Sequence, residues 1–302
     1  MDYLVRLEHW IKDNEKRIKV AHFKDLRKPE SEIELAEIWY VLSEIRIAKK
    51  NLKKWMRPKR IGKSTLALAT AQSWLHNEPR GVVLIISPWN FPFNLTIGPL
   101  VSALAAGNRV IIKPSELTPN VSSLMARMVD EVFEPERVSI FQGDQEVAKE
   151  LLNYPFDHIF FTGSPEIGKI IAKAASINLT PYTLELGGKN PCIVDETVPI
   201  ELSAKRIIWG KFLNCGQTCI APDYLIVHNS ILDSFKNELK KQIIIAFGEK
   251  PLKSESYGKI ISDKHILRLK KLIKNQNIFH GGKIDREKKY FEPTIIINPD
   301  LD

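Results

Sequence analysis

Cysteine is scarce in this sequence, with three residues in 302, and no leader is expected to accompany them. The first residues, Met1-Asp2-Tyr3-Leu4, have neither the basic start nor the apolar core of a signal or transit peptide. That combination argues against a disulfide framework and leads us to expect free thiols in a reducing, cytoplasmic setting. Cys215 and Cys219 form a C-x3-C pair, but no histidine or second cysteine pair stands near them to complete a zinc site, so no metal is expected. Also missing is any uninterrupted apolar run approaching the roughly 18 residues of a membrane span, so no transmembrane segment is expected. Internal repeats and low-complexity linkers are absent as well.

What is present is the composition of a globular protein, 44% hydrophobic and 26% charged, enough for one large core or two ordinary ones. The formal charge of +8 is concentrated in Lys53, Lys54, Arg57, Lys59, Arg60 and Lys63, a stretch with no acid and one aromatic, Trp55. Such a run raises nucleic acid or a membrane surface as a partner, with a steep salt dependence as its signature. No nucleic-acid motif surrounds it, and a solvated segment with no nucleic-acid partner is expected.

Periodicity supplies the architecture. Leu35, Ile38, Leu42, Ile45 and Leu52 recur at near-helical spacing and predict one amphipathic helix over residues 32 to 55. Thr65 to His76 reads as a hairpin arm before Pro79-Arg80-Gly81. From Val82 on, apolar runs at Val82 to Ile86, Val110 to Ile112, Val138 to Phe141 and Ile159 to Phe161 alternate with helices near 98 to 106, 118 to 132, 145 to 152 and 167 to 177. That alternation predicts an α/β fold with a parallel sheet covered on both faces. A second set follows, with strands at Cys192 to Val194, Leu225 to Val227 and Thr294 to Ile297 and helices near 200 to 213, 230 to 246 and 263 to 274. The expected division is a first domain over 1–184, with N-terminal helices and the arm, and a second over 185–302.

Several segments carry chemistry. Cys219 ends Gly216-Gln217-Thr218-Cys219 and lies 34 positions after the glutamate of Glu185-Leu186-Gly187-Gly188, a pairing that reads as a thiol nucleophile and a base. Phe161-Thr162-Gly163-Ser164-Pro165-Glu166-Ile167-Gly168-Lys169 follows a strand and opens a helix, the setting in which backbone amides receive a phosphate. Its spacing also matches most of a P-loop, but Ile170 stands where the magnesium-binding Ser or Thr belongs. The Gly62-Lys63-Ser64-Thr65 fragment supplies that hydroxyl but has Arg57 in place of the first glycine. Lys113-Pro114-Ser115-Glu116 ends a strand with a cation and an anion, suited either to ribose hydroxyls or to solvent; lining a site, Glu116 would repel a 2′-phosphate and favour NAD over NADP. In Ser87-Pro88-Trp89-Asn90-Phe91-Pro92, Asn90 either donates to a developing oxyanion or bonds its own backbone.

Pro88 to Pro92, Lys113 to Glu116, Phe161 to Ser164, Glu185 to Lys189 and Gly216 to Cys219, in this order, resemble the NAD(P)-dependent aldehyde dehydrogenase superfamily. Asn94-Leu95-Thr96-Ile97, Trp209-Gly210-Lys211-Phe212 and Ala221-Pro222-Asp223-Tyr224 look most like its class 3 branch, which oxidises medium-chain, fatty and aromatic aldehydes. The resemblance implies a Rossmann-like cofactor domain followed by an α/β catalytic domain. It makes Cys219 the nucleophile, Glu185 the general base and Asn90 an oxyanion donor beside the Cys219 amide. Lys113 and Glu116 would contact the adenosine ribose; Ser164 and the turn from Gly163 to Gly168 would face the pyrophosphate. Trp89, Leu186 and Gly187 would border the pocket of NAD, or of NADP.

The family pattern continues past Asp302 with a Glu-x-Phe-Gly-Pro segment, further strands and an arm that pairs with another subunit. A truncated second domain with uncovered apolar faces is therefore expected, and with it a second reading: an impaired fragment that at most binds dinucleotide. A homodimer is implied for the complete family protein and not for this chain. Cys215, four positions before Cys219, either pairs with it on oxidation or packs as a small apolar residue.

Overall fold

The structure, a computed structural model, describes residues 1–62 and 70–300. The chain divides into two compact units, one made of Met1–Arg17, Leu35–Glu116 and Ser122–Glu185, the other of Ile18–Glu34, Leu117–Val121 and Leu186–Asp302.

The N-terminal helices are α1 (Asp2–Asp13), α2 (Glu15–Leu26) and α3 (Glu30–Ile33), the last running through a π-helical stretch, Glu34–Trp39, into α4 (Tyr40–Trp55). The expected single helix is thus interrupted by wider turns, and the consequence is visible in burial. Ile33, Ile38, Val41, Ile45 and Ala48 are buried, a step of five residues followed by steps of three and four. Leu35, expected on the apolar face, is 49% exposed instead, because i→i+5 bonding carries the stripe past it.

Two short strands, β1 (Lys59–Ile61) and β2 (Ser73–Leu75), pair antiparallel with Arg60 opposite Trp74. Part of the expected arm is met by β2, but its partner comes from the basic stretch. Residues 63–69, and with them Lys63, Ser64 and Thr65, lie outside the described residues. Lys53 and Lys54 occupy the last turn of α4, where cations complement the helix dipole, and Arg57, Lys59 and Arg60 are exposed.

The first unit is built on a five-stranded sheet of β3 (Val82–Ile86), β4 (Arg109–Lys113), β5 (Val138–Ile140), β6 (His158–Gly163) and β7 (Tyr182–Leu186) in the order β5-β4-β3-β6-β7. The β3–β4, β4–β5 and β3–β6 pairs are parallel, as the unalternating runs of branched residues predict. Helices α5 (Asn94–Ala105), α6 (Pro119–Val132), α7 (Gln145–Leu151) and α8 (Pro165–Ile177) make the connections. One apolar cluster of the unit packs Leu84 and Ile86 of β3 with Ile159 and Phe161 of β6, Leu151, Phe156 and Ile171. Gly81 opens β3 at φ 132°, and a Cβ there would lie 2.1 Å from the Asp157 carboxylate that accepts the Val82 amide. Only glycine fits that position.

The second unit contains a parallel pair, β8 (Asn190–Val194) and β9 (Pro222–Val227), with α9 (Ile200–Phe212), α10 (Leu232–Phe247) and α11 (Asp263–Leu272). Short antiparallel pairs follow: β10 (Ile278–His280) with β13 (Ile295–Ile296), and β11 (Ile284–Asp285) with β12 (Tyr290–Phe291). Its core gathers Phe212, Phe235, Leu239, Ile243, Tyr257 and Tyr290. On the β8–β9 pair Ile193 and Ile226 are exposed, so an apolar surface of that pair is bare among the described residues.

Candidate functional site

Strand order positions most of the predicted residues. In β5-β4-β3-β6-β7 the connections run one way from β3 through β4 to β5 and the other way to β6 and β7, so the order reverses beside β3. Outside the carboxyl ends of the strands at such a reversal, open α/β sheets bind their ligands. Register aligns those ends: Ile86 lies opposite Lys113 of β4 and Phe161 of β6. Ser87 to Asn90 and Pro114 to Glu116 therefore leave the sheet at the end where β6 finishes in Thr162 and Gly163 and gives way to Ser164.

Each tail has its own support. The Ser87 amide continues the ladder by donating to the Lys113 carbonyl at 3.1 Å. Trp89 and Asn90 are half-buried, and Phe91, Pro92 and Phe93 behind them are buried. Asn94 opens α5; its amide donates to fully buried Glu37 at 2.8 Å and its side chain to the Ala36 carbonyl at 2.8 Å. The Lys113 side chain is 4% exposed, with Nζ 3.0 Å from Glu116 Oε2, while Glu116 is half exposed. A Cβ on Gly163 would come 2.4 Å from the buried Phe161 ring, so backbone alone passes there. Ser164 caps α8, accepting the Ile167 amide at 3.4 Å, and Pro165 takes the first helical turn. Gly168 is buried in that helix, and its amide donates to the Ser164 carbonyl at 2.9 Å.

Glu185 and Leu186 end β7 exposed, followed by exposed Gly187 and Gly188. A Cβ on Gly188 would lie 2.7 Å from the Cys219 carbonyl oxygen, so in the second unit this turn runs directly against the thiol loop. Asn190, two residues on, donates from Nδ2 to the carbonyls of Cys219 at 2.8 Å and Ala221 at 3.0 Å.

The Cys219 loop is held by side chains. After α9, Asn214, Cys215 and Gly216 take φ of 53°, 56° and 78°, three successive left-handed residues of which only one is glycine. The Asn214 amide donates to Glu32 Oε2 at 2.9 Å. Gln217 donates from Nε2 to the carbonyls of Asn214 (3.0 Å) and Lys259 (3.1 Å), and its Oε1 accepts the Ile261 amide at 3.0 Å. Cys219 itself is partly exposed. Cys215, partly buried, packs against the core, where its Sγ would be 3.4 Å from a Cβ on Gly258. Enclosure, and secondarily the Glu32 carboxylate, pushes its thiol far up. Asp223 on β9 pairs with Lys189 at 3.3 Å and Lys211 at 3.7 Å. Burial, opposed by Asp223, holds the Lys211 ammonium below the usual lysine range.

Asn90, Trp89, Lys113, Glu116, Gly163, Ser164, Gly168 and Glu185 thus belong to the first unit, and Leu186, Gly187 and Cys219 to the second. Glu32, Glu37 and Gln217 were not singled out from the sequence. A signal for Glu37 existed, because it stands four residues from both Ile33 and Val41, on an apolar stripe where a carboxylate needs a partner. No group of acidic, histidine or cysteine residues suited to a metal ion occurs among the described residues. No helix among them is long and apolar enough to cross a membrane.

The sequence model of the aldehyde dehydrogenase family matches residues 1–302. The chain is 44% identical over 297 residues to the 4,4'-diaponeurosporen-aldehyde dehydrogenase of Staphylococcus aureus (strain NCTC 8325 / PS 47), covering 98% of this chain and 64% of that protein. It is 42% identical to the dimeric NADP-preferring aldehyde dehydrogenase of Rattus norvegicus, covering 98% and 65%. A structure of Staphylococcus aureus AldH in a substrate-bound state superposes with a TM-score of 0.95 at 43% identity, covering 99% of this chain and 66% of that one. The chain therefore spans just under two thirds of the length of these curated relatives.

Proposed function

Because the chain belongs to the aldehyde dehydrogenase family, we propose that it oxidises an aldehyde to a carboxylic acid through a cysteine thioester, with a nicotinamide dinucleotide taking the hydride. The observation that carries this reading is the Cys219 loop: a partly exposed thiol on a left-handed turn, with the backbone three residues beyond Glu185 lying against its carbonyl. The first unit would be the dinucleotide-binding part and the second the catalytic part.

The carboxyl edge of the first sheet suits a dinucleotide. Backbone alone passes at Gly163, the exposed N-terminus of α8 offers amides to a pyrophosphate, and the Lys113–Glu116 pair ends the second strand of the sheet, where ribose hydroxyls are received. Trp89, Gly168, Leu186 and Gly187 would complete the borders. The Glu116 carboxylate favours NAD by repelling a 2′-phosphate; the rat relative's NADP preference keeps NADP within the proposal.

In this mechanism the Cys219 thiolate attacks the aldehyde carbon, a C–S bond forms, and the carbonyl π pair moves to oxygen. The Asn90 amide group and the Cys219 backbone N–H donate to that oxyanion, an effect worth about 3 kcal/mol per donor. A nicotinamide, when bound, would supply the hydride acceptor that conversion of this adduct to a Cys219 thioester requires. Glu185 then takes a proton from water, hydroxide adds to the thioester carbon, and the C–S bond breaks with sulfur leaving as thiolate. The substrate class proposed is medium-chain, fatty or aromatic aldehydes.

The test is aldehyde-dependent NADH formation, expected with this substrate class and lost in Cys219→Ala. Absence of a thioacyl adduct on Cys219 with every C2 to C12 and aromatic aldehyde would sink the proposal. The share of its relatives' length that the chain spans favours a second reading, binding of dinucleotide without turnover. Thermal stabilisation by NAD with no NADH formed would select it.

A further inference from the structure

We propose that Glu32 is a positioning residue for the thiol: by accepting the Asn214 backbone N–H, its carboxylate locks the left-handed turn that presents Cys219. This rests on Cys219 being the reactive thiol, as proposed in the preceding section.

The turn requires something to hold it. Asn214 (φ 53°, ψ 36°) and Cys215 (φ 56°, ψ 30°) occupy a region that L-residues disfavour, and they do so consecutively. Gln217 ties the later half of the loop to the backbone at Lys259 and Ile261. The first left-handed residue is tied instead by Glu32, whose Oε2 lies 2.9 Å from the Asn214 amide. Glu32 comes from 182 residues earlier in the chain, on the short helix α3.

The surroundings of Glu32 make this tie responsive to protons. Lys28, fully buried, and the Cys215 thiol face it; Tyr257 adjoins that thiol, with Tyr290 and Glu292 beside Tyr257. Burial pushes the Glu32 carboxyl up to about 7, against the opposing pull of the Asn214 amide and Lys28. While Glu32 stays enclosed, its ionised carboxylate is a stronger acceptor than the neutral acid, so this one bond tightens as pH rises through that value even though the buried charge costs the whole fold.

Hydrogen exchange of the amides from 214 to 219, measured on the full chain and corrected for intrinsic rates, tests this. Wild type is expected to gain protection of about tenfold between pH 6 and 8. Glu32→Gln, which keeps an acceptor without charge, should lose the pH dependence and retain much of the protection; Glu32→Ala should lose about tenfold at pH 8. In an Asn214→Gly background, where glycine enters the left-handed region without strain, the loss in Glu32→Ala should shrink. As a second readout, the rate of iodoacetamide modification at Cys219, read by peptide mass, should show an inflection near pH 7 that Glu32→Gln removes. Equal protection in Glu32→Ala and wild type, or an inflection that survives in Glu32→Gln, would overturn the assignment. If Cys219 is modified no faster than Cys192 in every variant, the proposed thiol chemistry fails, and the exchange data still decide the role of Glu32.

Discussion

The loop that carries Asn90 and the loop that carries Cys219 each hang on a glutamate that accepts a backbone amide, yet they are held in different ways. Around Asn90, Glu37 is fully buried, Phe91 and Phe93 fill the space behind, and no described residue from 87 to 97 has a left-handed φ. The Thr96 hydroxyl donates to the Pro92 carbonyl at 2.6 Å and lies 2.6 Å from Ser87 Oγ, closing the loop on itself. Around Cys219, three residues in succession are left-handed, and the ties are polar side chains, Glu32 on buried Asn214 and Gln217 on the half-buried turn after it. An oxyanion donor gains from rigidity, since any reorganisation subtracts from what it contributes. A nucleophile that must first attack and then leave is served by ties that can slacken.

The largest effect that would sharpen this contrast is in the rigid loop. Asn90→Ala should slow the NADH burst with aldehyde by roughly a hundredfold while leaving the thermal unfolding midpoint in place; a shifted midpoint with an unchanged burst would make Asn90 structural. Next comes the cost to the whole fold of burying Glu32, which the local tie to Asn214 offsets only in part. Between pH 4.5 and about 7 the folded chain holds a proton on Glu32 that the unfolded chain has released. Stability is therefore full below that window and falls as pH rises through it, by roughly 3 kcal/mol. Urea unfolding at pH 5 and pH 8 should show this slope in wild type and a flatter one in Glu32→Gln. Gln217→Ala removes bonds to Asn214, Lys259 and Ile261 and should cost about 2 kcal/mol in the same assay. Smallest is Thr96→Val, at about 1 kcal/mol, because the buried packing of the Asn90 loop remains. If Thr96→Val exceeded Gln217→Ala, hydrogen bonding rather than packing would dominate the first loop and the contrast would dissolve.

The parallel sheet was readable because β3, β4 and β6 are runs of branched and aromatic residues between turn signals, and their ends coincide with the motifs. The five-strand order, by contrast, includes β7, whose Tyr182-Thr183-Leu184-Glu185-Leu186 looks half polar and reads as part of the Glu185 motif rather than as a strand. The π-helical stretch was invisible for a different reason: periodicity counts assume a constant turn, and Leu35 satisfied the α-helical count while the chain stepped past it. Candidate site residues at strand ends were legible from residue type and place. Glu32 was not, because a glutamate in a charged helix looks like its solvated neighbours until a distant amide is brought to it.

Cys215 has a chemical consequence of its own. Its thiol packs against the core beside Tyr257 and is pushed far up by enclosure, so little of it is thiolate and it is slow to attack an oxidised neighbour. Peroxide meeting Cys219 should therefore stop at a sulfenic acid that glutathione from solution can cap and later release, so that damage at position 219 is repaired from outside the protein.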